Sequence, residues 1–118
     1  MKENILKSKS LVFAISVVEL TKALASDKRE FVLSKQLLRS GTSIGAMVRE
    51  AEHAQSKADF IHKLSIAQKE ANETLYWLEL LSATDYISKT DFTTHFQSAG
   101  ELLKMITSSI KTAKSNLK

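Results

Sequence analysis

The sequence predicts an all-α fold, an up-and-down antiparallel four-helix bundle in a single domain, and three observations carry that expectation. Proline is absent and only three glycines interrupt 118 residues, which favours long helices over sheets built on many tight turns. Hydrophobic residues make up 43% and charged residues 25% of the chain, the balance of a folded globular protein. Apolar positions recur in alternating steps of three and four along four successive segments, as in helices that share one core.

The first helix is expected near residues 4–25, with a seam of Leu6, Ser10, Phe13, Val17, Leu20 and Leu24. Leu11, Val12, Ile15 and Val18 fall on its other faces and make it apolar nearly all round, until Ser26-Asp-Lys-Arg breaks the pattern. The second, near 30–54, reads Leu33, Leu37, Ser40, Ile44, Met47, Ala51 and Ala54. The third, near 57–83, reads Phe60, Leu64, Ala67, Ala71, Thr74, Leu78 and Leu81, and Ser56 followed by Asp59 resembles a capping box at its start. The fourth, near 90–116, reads Phe92, Phe96, Ala99, Leu103, Ile106, Ile110, Ala113 and Leu117, with Ser88 or Thr90 as its cap. Leu38, Ile66, Leu75 and Leu80 stand beside or behind these seams. Either they widen the core stripe, or they form a second face that self-association buries.

Composition also limits the chemistry. Without cysteine there is no disulfide framework, thiolate metal site or cysteine nucleophile. The longest apolar run, Leu11 to Ile15, is too short to cross a bilayer, and MKENILKSKS lacks the long apolar region of a secretory signal. A cytoplasmic location without membrane association is the default expectation. The net charge of +4 and pI near 9.4 permit a polyanionic partner but do not require one.

Two glycines four residues apart, Gly41 and Gly45, lie in RSGTSIGAMV. The stretch is no phosphate loop, because Lys-Ser or Lys-Thr does not follow and no strand precedes it. A helical glycine costs about 0.8 to 1 kcal/mol relative to alanine, so two are tolerated where a side chain would not fit. Ser40, Gly41, Ile44, Gly45 and Met47 are therefore read as a close helix contact, within the chain or between subunits.

No catalytic, metal or cofactor site is assigned. Glu50-x-x-His53 has the spacing of di-iron bundles and Asp59-x-x-His62 offers a partial mate, yet both histidines fall off their seams. Arg49 and His53 have three residues between them, against four to six in helical-bundle ribonucleases of the HEPN group. His95 has no companion and reads as a surface residue. Glu70 and Glu73 flank the third seam and are expected to pair with Arg39, Gln36 or Lys63 rather than do acid–base work. Tyr76 is read as an exposed aromatic. The last fifteen residues carry Lys104, Lys111, Lys114 and Lys118 without an acid. Lys104, Lys111 and Lys118 recur every seven residues, so they either track phosphates or form a solvated face favoured by the helix dipole.

The string from Gln36 to Leu81, QLLRSGTSIGAMVREA and then AQSKADFIHKLSIAQKEANETLYWLELL, closely resembles the 23S rRNA intervening sequence protein family. The matching polar and aromatic positions are Gln36, Arg39, Ser40, Ser43, Glu50, Asp59, Lys63, Glu70, Glu73 and Trp77, while Met47 stands where that family commonly has asparagine and Gln68 where it often has an apolar residue. The resemblance implies an up-and-down bundle that assembles into a ring-like homopentamer, encoded within bacterial 23S rRNA genes and elsewhere. The related accessory variability proteins of diversity-generating retroelements form basic pentamers that bind a reverse transcriptase and nucleic acid. By that likeness the chain is expected to be a non-enzymatic homo-oligomer, with RNA or a nucleic-acid-associated protein as partner. A ring that binds protein alone is the alternative.

Overall fold

The computed structural model describes residues 2–116 and contains four antiparallel helices: α1 (Lys2–Lys28), α2 (Leu33–Glu52), α3 (Lys57–Ala83) and α4 (Lys89–Ser115). Each helix packs on its neighbour in sequence, and α4 closes back on α1 along the loosest of the four seams. The product is a rod of 50 × 21 × 20 Å, as expected when helices of this length run side by side at 1.5 Å per residue. No described helix is long and apolar enough to cross a membrane. Leu117 and Lys118 lie outside the described residues.

The core follows the predicted seams through most of their length. Val17, Leu37, Ile44, Leu64, Leu78, Leu81 and Ile106 are buried to within 2% of complete exclusion from solvent, as are the polar seam residues Ser10, Ser40 and Thr74. The polar three keep their hydroxyls bonded. Ser10 donates to the Lys7 carbonyl at 3.1 Å, Thr74 donates to the Glu70 carbonyl at 2.8 Å, and the Ser40 and Thr74 oxygens lie 3.0 Å apart. A buried hydroxyl with a partner avoids the desolvation penalty of an orphaned one.

The boundaries differ from the sequence expectation mainly at the α1–α2 turn. Helix α1 continues to Lys28, and Arg29 reverses the chain in the left-handed region at φ 56°, so that the Glu30 N–H returns to the Leu24 carbonyl at 3.1 Å. Helix α2 begins at Leu33 rather than near residue 30 because Glu30 is its cap. The Glu30 carboxylate accepts from the backbone N–H groups of Val32 (3.1 Å), Leu33 (3.0 Å) and Ser34 (2.7 Å), satisfying three of the unpaired donors at a helix start. The other two starts use hydroxyls: Ser56 Oγ accepts from Asp59 N–H and Ser88 Oγ from Asp91 N–H, both at 3.0 Å. Ser88, not Thr90, therefore caps α4.

The inward stripe of α4 is His95, Ala99, Leu102, Ile106, Ile110 and Ala113. Leu102 replaces Leu103, which is half-buried, while Phe92 and Phe96 lie beside the stripe with ring centroids 4.9 Å apart. His95 is thus buried, not a surface residue. Its Nδ1 lies 2.7 Å from the Asp91 carbonyl one turn back, so the imidazole enters the interior with that nitrogen already bonded.

Candidate nucleic-acid interface

Beyond Glu101, α4 carries Lys104, Lys111 and Lys114 and no acidic residue. All three are exposed, and none makes an ion pair among the described residues. Lys104 and Lys111 sit two turns apart on the side of α4 opposite Ile106. Seven residues advance a helix by about 10.5 Å, about three steps of a nucleic-acid strand at 3.4 Å each. Lys114 stands on the flank of the same face. The surface continues onto α3, where Gln68 Nε2 donates to Thr107 Oγ1 at 3.0 Å and Lys69 is exposed without an ion pair among the described residues. Ammonium groups spaced along one helix attract phosphates and offer no geometry for reading bases. Lys118, the remaining member of the seven-residue series, lies outside the described residues.

Several other charged residues are engaged in ion pairs between neighbouring helices. Arg39 of α2 spans two carboxylates of α3, with Nη1 3.3 Å from Glu70 Oε1 and Nη2 bonded to Glu73. Gln36 makes no side-chain hydrogen bond with them. Lys63 pairs with Glu50 at 3.1 Å, Lys7 with Glu52 at 3.2 Å and Lys9 with Glu101 at 3.0 Å. The Glu50–Lys63 pair lines an open depression at the α2–α3 turn together with Arg49 and His53. His53 is exposed there, and no group of three metal-ligating side chains occurs among the described residues.

The two glycines of α2 face α1 of the same chain. A Cβ placed on Gly41 would meet both methyls of Val17 at 3.0 Å, and one on Gly45 would meet Ser10 Oγ at 3.3 Å. Ser40 and Ile44 are buried beside them and Met47 is half-buried against the core. Gly41 and Gly45 therefore form a close crossing of α2 with α1 inside the chain.

Leu11, Val12 and Ile15 of α1 and Tyr76 are exposed as the sequence suggests, whereas Phe31, Val32 and the α1–α4 groove are features that periodicity did not locate. Helix α1 leaves Ile5, Leu11, Val12 and Ile15 about half or more exposed, and Phe31 and Val32 project at 58% and 72%. Between α1 and α4 runs a groove of about 670 Å³ with Phe13, Leu20 and Leu102 along its floor. Tyr76 is exposed and meets Trp77 edge-on at 5.0 Å, while the Trp77 Nε1 hydrogen is buried without a partner among the described residues. The excess of apolar residues on α1 signalled an unsatisfied face, but the corner at Phe31 depends on where α1 stops.

Comparison with known proteins agrees with this architecture. The sequence model of the family described as 23S rRNA-intervening sequence protein matches residues 2–108, so Lys111 and Lys114 lie beyond the matched region. A crystal structure of a protein with unknown function from the S23 ribosomal protein family of Bacteroides thetaiotaomicron is 57% identical. It aligns over 94% of this chain and 99% of its own with a TM-score of 0.93. The comparison with curated proteins gives no match.

Proposed function

The chain belongs to the 23S rRNA-intervening sequence protein family, and from that membership we propose that it is a non-enzymatic, self-assembling scaffold that holds RNA or a ribonucleoprotein against α4. The observation that carries this reading is the acid-free run of exposed lysines Lys104, Lys111 and Lys114, which make no ion pair among the described residues. Backbone contacts of this kind bind polyanions with little sequence preference and release counterions in doing so. A homopentameric state and a bacterial cytoplasmic setting are part of the same proposal, the first supported by the family resemblance. Assembly is further supported by the exposed apolar residues of α1, which a lone bundle leaves in water.

A second reading, a ring that binds protein and ignores nucleic acid, is favoured by those same apolar residues. Native mass measured with and without a single-stranded RNA, at low and at high salt, separates the two. The scaffold reading expects a multiple of the chain mass that gains RNA at low salt and loses it at high salt. A multimer that never acquires RNA leaves the protein-binding ring, and a monomer contradicts both.

A further inference from the structure

The α1–α2 corner and the α1–α4 groove are complementary in shape and charge. At the corner, Phe31 and Val32 stand out from the surface, flanked by the exposed bases Lys28, Arg29 and Lys35. The acids of the same stretch are Asp27, whose Oδ1 accepts from the Ser26 hydroxyl, and Glu30, buried under three backbone donors. Those donors fix the corner before anything binds, so little conformational freedom is lost on docking. The groove has an apolar floor of Phe13, Leu20 and Leu102, and Glu19 and Asp91 line it without ion pairs among the described residues.

We propose that the Phe31–Val32 corner of one copy of this chain seats in the α1–α4 groove of the next, with Lys28, Arg29 and Lys35 facing Glu19 and Asp91. The inference rests on the reading of the chain as a self-assembling scaffold and names the surfaces that assemble it. Two different patches in contact make a head-to-tail interface, the type that closes rings of any number of subunits. Subunits related by rotation about an axis along the rods must meet at equal height. The corner and the upper end of the groove satisfy that condition, because Phe31 and Val32 lie between the end of α1 at Lys28 and the start of α2 at Leu33, and the groove reaches Ala23 on α1 and Asp91 at the start of α4. Burying two large side chains and matching opposite charges also distinguishes this contact from an RNA surface, which would place phosphates beside Glu19 and Asp91.

Two variants test it, each with one surface disabled. Phe31→Ser with Val32→Ser removes the apolar corner, and Ser98→Trp, at an exposed groove position, fills the groove. Each alone should fall to the 13.2 kDa chain mass with its helical circular dichroism intact, and an equimolar mixture should form a species of two chains and stop there. If the wild-type protein is itself a monomer by native mass, the scaffold reading fails and takes this inference with it. If the wild type assembles and the corner variant keeps its full mass, only the docking proposal is overturned. A mixture that stays monomeric although both variants disrupt assembly means that the corner does not seat in the groove. Should either variant lose helix, Lys28→Glu with Lys35→Glu replaces it at exposed positions and is expected to dissociate the assembly; retention of the wild-type mass then overturns the proposal.

Discussion

Gly41 of α2 and Val17 of α1 meet so closely that a Cβ on the glycine would lie 3.0 Å from both valine methyls. Val17 is completely buried and cannot move aside. Gly41→Ala gains at most about 1 kcal/mol of helix propensity and loses about 1 to 3 kcal/mol to overpacking. Net destabilisation is the expected outcome in urea denaturation. Gly45, whose added Cβ would find Ser10 at 3.3 to 3.5 Å, should tolerate alanine far better, and an equal loss at both positions would contradict the geometry.

Gly100 provides the opposite case. It sits inside α4, and a Cβ there would meet nothing within 4 Å. Gly100→Ala should therefore stabilise the protein by about 0.5 to 1 kcal/mol through the lower entropy of the unfolded chain and the better helix propensity. A rise of a few degrees in Tm checks it.

These two glycine sites show where the sequence was legible and where it was not. Periodicity placed Val17, Leu37, Ile44 and Leu78 in one core because burial is imposed by the 3.6-residue repeat. It misassigned His95, since nothing local says that an imidazole will bond the carbonyl one turn back and so become buriable. It also missed the exact start of α2, because Glu30 caps that helix from two residues before the usual position, and a carboxylate there carries no standard signature. The lysines of α4 were visible as a charge pattern, while their freedom from ion pairs depends on tertiary neighbours.

Glu30 links that turn to pH. Burial alone would raise its pKa, but hydrogen bonds from the Leu33, Ser34 and Val32 N–H groups and from the Ser34 side chain outweigh burial and hold the carboxyl below its ordinary value. A depressed folded-state pKa stabilises the fold above the unfolded pKa of about 4.3, and that contribution is lost as pH falls through the folded value. Glu30→Gln should cost about 1 to 2 kcal/mol at neutral pH. It should also flatten the dependence of Tm on pH below about 5; wild type and variant with parallel acid limbs would refute the assignment.

Arg39 has unequal partners. The Glu70 side chain is 11% exposed and Glu73 is 32% exposed. Removing the guanidinium by Arg39→Met strands the more buried charge and should destabilise by about 1 to 3 kcal/mol. Adding Glu70→Leu to that variant should recover much of the loss, because two apolar groups replace an ion pair more cheaply than one charge can be left alone. Glu73→Gln by itself should stay within about 0.5 kcal/mol, as water still reaches that carboxylate. A double-mutant cycle with no coupling between Arg39 and Glu70 would rule out the bridge as a source of stability.

The α4 lysines make a prediction that stability measurements cannot reach. If Lys104, Lys111 and Lys114 each neutralise one phosphate of a single strand, the slope of log K against log salt includes about 0.7 from each of them. Lys111→Glu together with Lys114→Glu should reduce that slope by at least about 1.4 and abolish binding at physiological salt. Both residues are exposed and unpaired among the described residues, so thermal stability should hardly change. Lys7→Gln is the control: its ammonium is engaged by Glu52 at 3.2 Å, and its loss should leave the salt slope nearly untouched. If the α4 variant and the control weaken RNA equally, binding reflects overall charge and α4 has no special part in it.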